Sequence, residues 1–130
     1  MTTWRALPRW ARITLGVYAG AFLVGTASHL LDIALQGARV YSSAPPPLRL
    51  FFVALVVLDP LVVVLVLRRR RRAGVLLAVA VMVADVGANL AMTAIDPGWA
   101  LAVTLPLFGV VVLATAPPLW RVLSREPLVE

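Results

Sequence analysis

Four long apolar stretches separated by short polar interruptions run through the chain, at about residues 13–35, 48–67, 73–95 and 99–117. Each holds roughly the 20 residues that an α-helix needs to cross the hydrocarbon of a bilayer at 1.5 Å per residue. None shows the strict apolar/polar alternation of a half-buried strand. The breaks fall where a helix cannot easily continue: Gln36 to Pro47 holds Gly37, Ser42, Ser43 and the triple proline Pro45 to Pro47, and Asp96, Pro97 and Gly98 form a short turn. The pattern predicts an all-α membrane protein, a single domain of four transmembrane helices with short connections. Two antiparallel hairpins of this kind pack economically as a four-helix bundle.

The polar side chains inside these stretches repeat at helical spacing. On the first helix Tyr18, Phe22, Gly25, His29, Asp32 and Gln36 follow steps of three and four and share one face. On the third, Met82, Asp85, Asn89, Met92 and Asp96 do the same, and the fourth carries Thr104, Phe108 and Thr115. The second is apolar apart from Asp59 and Pro60, and Pro60 cannot donate to the carbonyl of Val56. Pro106 is expected to free the carbonyl of Ala102 in the same way. Counting from the nearest arginines, Asp59 lies about 14 Å deep, Asp85 about 20 Å, and His29 with Asn89 about 26 Å, while Asp32 falls near the far boundary.

Charge then orients the chain. Five consecutive arginines, Arg68, Arg69, Arg70, Arg71 and Arg72, sit between the second and third stretches, and such a block can hardly cross a bilayer. Three basic residues precede the first stretch, two lie in the first loop, none in the third loop and two follow the fourth stretch. Ten therefore fall on one side and two on the other, and the positive-inside rule makes both termini and the arginine block cytoplasmic. The expected location is the cell membrane, multi-pass. The block can also contact anionic lipid headgroups, at about 1 kcal/mol per residue. Tied between two spans, it is a poor nucleic-acid patch, whatever the net charge of +6 suggests.

Composition agrees: 62% of the 130 residues are apolar, against roughly 45 to 50% in ordinary globular chains, and the mean hydropathy is +0.95. With no cysteine and one histidine, thiolate chemistry is excluded and no metal or cofactor is expected. The start of the first stretch, with small residues Thr26, Ala27 and Ser28 after an apolar run, resembles a signal-peptide cleavage site. Hydrophobicity resumes at Leu30, so the span is expected to be retained.

A carboxylate at the centre of a membrane helix costs about 2.5 to 3.5 kcal/mol. Several such groups on facing stripes point to a pocket built from His29, Asp32, Asp59, Asp85 and Asn89. The plainer reading is interhelical glue, worth about 0.6 kcal/mol per hydrogen bond. Ser28, His29 and Asp32 on helix 1, an acid at Asp59 on helix 2 and a proline-bearing helix 4 resemble the EXPERA domains of the emopamil-binding-protein superfamily. That resemblance implies a four-helix membrane protein whose His29, Asp32 and Asp59 line a pocket for sterols or cationic amphiphiles, and some members of the family are sterol isomerases. The chain differs in having Asp rather than Glu on helix 2, a much shorter first loop, and Asp85 with no obvious counterpart.

The function expected is therefore a small integral membrane protein with an outward-opening pocket for a lipidic or cationic small molecule. In an enzymatic version a carboxyl group and His29 would move a double bond without a cofactor. Two further readings remain open: a proton- or cation-coupled transporter subunit, expected to oligomerise, and a non-catalytic assembly subunit whose polar stripes meet the helices of a partner membrane protein.

Overall fold

A computed structural model describes residues 4–125. Four helices account for most of them: α1 (Arg9–Gln36), α2 (Pro46–Leu67), α3 (Arg71–Ile95) and α4 (Thr104–Ser124), with single 3-10 turns at Trp4–Ala6 and Gly37–Arg39. Among the described residues there is no strand. All four helices are long and apolar enough to cross a membrane. Their outward faces are apolar as well: Leu35, Leu50, Val103 and Val24 stay at least two-thirds exposed, where a helix facing water would carry polar side chains.

The ends of the helices follow local chemistry. Pro8 and Pro45 occupy the positions just before α1 and α2, and Pro46 and Pro47 enter the first turn of α2, where a missing N–H leaves no bond unmade. The triple proline expected in the loop is thus mostly a helix start. Gly37 stops α1 with φ +57° and ψ −129°, a backbone region that side chains resist, while its N–H still reaches the carbonyl of Ile33. Beyond α3, Asp96 caps a tight turn, its Oδ1 accepting the Gly98 N–H at 2.9 Å.

Two expectations for the fourth helix are corrected. It begins at Thr104 rather than at Trp99, so Pro106 lies in its first turn and frees nothing; the Ala102 carbonyl accepts the Leu105 N–H at 3.0 Å. At the other end the helix runs through Pro117 and Pro118 to Ser124. Val112, Ala116, Leu119 and Leu123 form one buried stripe across the proline pair, and that packing keeps the segment helical where two missing donors would otherwise end it.

Contacts between helices give the topology. Gly25 of α1 lies against Asp59 of α2, Gly74 of α3 against Val66 of α2, and Gly109 of α4 against Met82 and Val86 of α3. The Tyr18 hydroxyl closes the ring, 2.7 Å from Thr115 Oγ1 and 3.1 Å from the Val112 carbonyl of α4. Successive helices are therefore antiparallel neighbours around a core of Leu15, Tyr18, Phe52, Leu55, Met92 and Leu119. The bundle has an arginine end, carrying the α2–α3 connection, and a loop end, carrying the other two connections.

Candidate functional site

At the loop end the helices part around a partly open cavity of about 750 Å³, within the range of small-molecule sites. All four helices and both loops contribute to it. Its floor is aromatic: Phe22 and Phe108 meet edge-to-face at 5.7 Å, above the Tyr18 link between α1 and α4. His29, Asp32, Asp59, Asp85 and Asn89 all line it, as do Gly25 and Gln36 from the α1 stripe and Met82 from the α3 stripe. Three carboxyl groups and one imidazole thus face a single space whose wall includes no arginine.

Asp59 is the most deeply set of these, only 5% exposed. Its Oδ2 comes 3.9 Å from Nε2 of His29. The depth counts had separated these two residues by more than two turns. The structure puts Gly25, about 20 Å from Arg12 along α1, level with Asp59, about 14 Å from Arg68 along α2. The two reference arginines are therefore about one turn out of level. His29 spans the remaining turn because side chains lean toward the N-terminus of their helix. Gly25 itself is required by the approach: a Cβ there would stand 2.6 Å from Oδ2 of Asp59.

Two aromatic side chains from the loops complete the site, and neither was a candidate in the sequence. The Tyr41 hydroxyl donates to Oδ2 of Asp32 at 2.9 Å and lies 2.8 Å from Nδ1 of His29. Burial first, and then the Asp32 carboxylate that accepts its proton, hold the Tyr41 phenol above its ordinary value. Trp99 stacks on Phe52 at 5.3 Å and donates from Nε1 to Oδ1 of Asn89 at 3.0 Å. Because an indole can only donate, this bond fixes the amide of Asn89, whose Nδ2 then donates to Oδ1 of Asp85 at 2.9 Å. Both loops are thereby tied to the acids beneath them. Tyr41 lies in the first loop and Trp99 counts as the first residue of the fourth apolar stretch, and spacing along a helix says nothing about a side chain that folds back from a loop.

Thr104 of the α4 stripe also lines the cavity, whereas other members of the stripes lie elsewhere. Met92 is buried in the core, Thr115 bonds Tyr18 outside the cavity, and Asp96 serves the turn. Among the described residues no three His, Cys, Asp or Glu side chains converge as a metal site would require.

Most of the arginines gather at the opposite end, Arg39 and Arg49 standing at the loop end. Only Arg68 to Arg70 form the connection; Arg71 and Arg72 open α3, so the expected loop of five is a loop of three. Positive charge at a helix N-terminus opposes the helix dipole. Aromatic faces offset this here, with the Arg72 guanidinium 4.5 Å from the Trp120 ring centre and that of Arg71, itself 9% exposed, 5.6 Å from that of Trp4.

Comparison with known protein families, with curated proteins and with solved structures finds no match.

Proposed function

We propose that the chain is a multi-pass protein of the cell membrane, with both termini and the arginine end in the cytoplasm, and that its cavity opens to the outside and binds an amphipathic cation. The excess of arginine at one end of the bundle supports the orientation. The observation that carries the ligand class is the makeup of the cavity wall. Asp32, Asp59 and Asp85 face a common space whose wall holds the His29 imidazole but no arginine, and Phe22, Phe52, Phe108, Tyr41 and Trp99 surround them. A cation between the acids would satisfy the carboxylates and meet aromatic faces, while an apolar tail would lie along the Phe22–Phe108 floor. This is also the ligand class implied by the resemblance to EXPERA domains.

The His29–Asp59 pair supports a double-bond isomerase as the enzymatic form of the same site, with the two groups exchanging a proton with the bound molecule. A proton-coupled transporter subunit fits less well. Below Asp59 the interior toward the arginine end is filled mostly by Leu15, Val62, Val66, Val75 and Ala78, and the Tyr18 and Thr115 hydroxyls there bond each other and backbone carbonyls, which offers a proton few stepping stones within one chain. The polar groups bond one another within the chain rather than face outward, which disfavours a role as glue for a partner's helices.

Asp59→Asn and Asp85→Asn test the ligand class, with a fluorescent long-chain amine titrated against purified protein in nanodiscs. Each variant is expected to bind at least about tenfold more weakly, as befits loss of a charge partner in a desolvated site. Wild-type affinity in both would refute the reading. The chain has no cysteine, so single cysteines at positions 70 and 98 test orientation. A membrane-impermeant maleimide should label position 98 in intact cells and position 70 only after permeabilisation.

A further inference from the structure

The three groups joined at the mouth of the cavity form an ordered chain, and its proton positions follow from counting. A phenol has one proton, and that of Tyr41 is committed to Oδ2 of Asp32, which can only accept. The 2.8 Å contact between the Tyr41 oxygen and Nδ1 of His29 must then be made by a proton on Nδ1. A neutral imidazole carries one N–H. In the neutral ring the other nitrogen, Nε2, is then a bare acceptor, and it faces Oδ2 of Asp59 across 3.9 Å. Two acceptors at that spacing leave room for one donor between them. Hydrogen bonds of about 2.9 Å to both subtend about 85° at the donor atom, so two N–H bonds on one tetrahedral nitrogen reach both with modest bending.

We infer that Tyr41, anchored by Asp32, fixes His29 as a hydrogen-bond acceptor, so that the site selects a protonated primary or secondary amine over a quaternary ammonium of the same shape. The choice of amine rests on the cation-binding reading above; the assignment of the imidazole does not. A second observation supports the positioning role. Tyr41 has φ +53°, and no other non-glycine among the described residues has a positive φ. An aromatic residue rarely adopts that conformation without being forced, and here it turns the ring inward between Phe52 and His29. The elevated phenol pKa keeps the hydroxyl a donor across the working pH range.

His29 is the only histidine in the chain, so tag-free protein labelled with ¹⁵N in its imidazole gives one pair of ring-nitrogen signals. At a pH where the ring is neutral, wild type is expected to show a protonated Nδ1 and a bare Nε2. Tyr41→Phe, which keeps the ring contacts, is expected to shift the signals toward the Nε2–H tautomer that free imidazole side chains favour in water. A bare Nδ1 in the wild type, or an unchanged tautomer in Tyr41→Phe, overturns the assignment. In parallel, a long-chain primary amine and its trimethylammonium analogue are titrated against both proteins. The wild type should prefer the primary amine by about tenfold, the worth of a charge-assisted hydrogen bond, and Tyr41→Phe should lose most of that preference. Equal binding of the two amphiphiles by wild type overturns the selectivity alone. Failure to bind either overturns the selectivity together with the cation-binding reading and leaves the tautomer result standing.

Discussion

Replacing Gly25 with alanine puts a methyl group where the Asp59 carboxylate now sits. The new Cβ would lie 2.6 Å from Oδ2 and 3.5 Å from Cγ of Asp59. Ordinary contact begins near 3.4 Å, so Oδ2 must retreat by about 0.8 Å. Asp59 is short and follows α2 into Pro60, so it can yield only by turning about χ1 or χ2, at about 0.5–1.5 kcal/mol for an off-rotamer position. The movement takes the carboxylate away from the place where it faces His29. We expect amine affinity to fall by about tenfold, near 1.4 kcal/mol. Fold stability should change by no more than about 0.5 kcal/mol either way, because the roughly 1 kcal/mol by which alanine is favoured over glycine in a helix interior offsets that rotamer cost. Gly16 and Gly20 are controls on the same helix, since a Cβ at either meets nothing within 4 Å. Amine titration and thermal unfolding of the three alanine variants in one detergent separate the effects. If Gly25→Ala binds the amine as tightly as Gly20→Ala does, the close approach of Asp59 to α1 is irrelevant to the site and the reasoning fails.

Gly74→Ala should behave differently, because its Cβ would lie 2.7 Å from both Cγ1 and the backbone nitrogen of Val66. With backbone in the way, α2 and α3 must separate, and a loss of about 1–3 kcal/mol is expected in thermal unfolding. Tyr18→Phe removes the hydroxyl that reaches Thr115 and the Val112 carbonyl. It should cost about 0.6–1.7 kcal/mol, and a double-mutant cycle with Thr115→Val should show the two changes to be non-additive. Trp99→Phe keeps an aromatic ring against Phe52 but loses the bond to Asn89. Faster amide exchange across residues 96–103, with the helices unchanged, is the expected result.

The sequence was most legible where a single physical rule dominates. Runs of about 20 apolar residues have one economical conformation, and each of the four runs holds one helix, the fourth displaced toward the C-terminus. Steps of three and four likewise brought Phe22, Gly25, His29, Asp32 and Gln36 onto one wall of the cavity. Legibility failed where two rules compete or where distance along the chain does not measure distance in space. The fourth stretch is expected to end at about residue 117, yet the buried stripe from Val112 to Leu123 carries the helix through Pro117 and Pro118. The arginine ruler misjudged the levels of His29 and Asp59 because it took Arg12 and Arg68 to be coplanar, while packing slides α1 along α2 by about one turn.

By itself, then, the sequence determined the number and apolar character of the helices, the excess of arginine at one end and the polar faces that turn inward, because hydropathy and helical period are properties of consecutive residues. The register between helices was decided by the tertiary structure alone. That register sets Asp59 against Gly25, hangs Tyr41 between Asp32 and His29, and ties Trp99 to Asn89. Side-chain contacts across helices and loops depend on how far one element slides past its neighbour, and no pattern within one element records that distance.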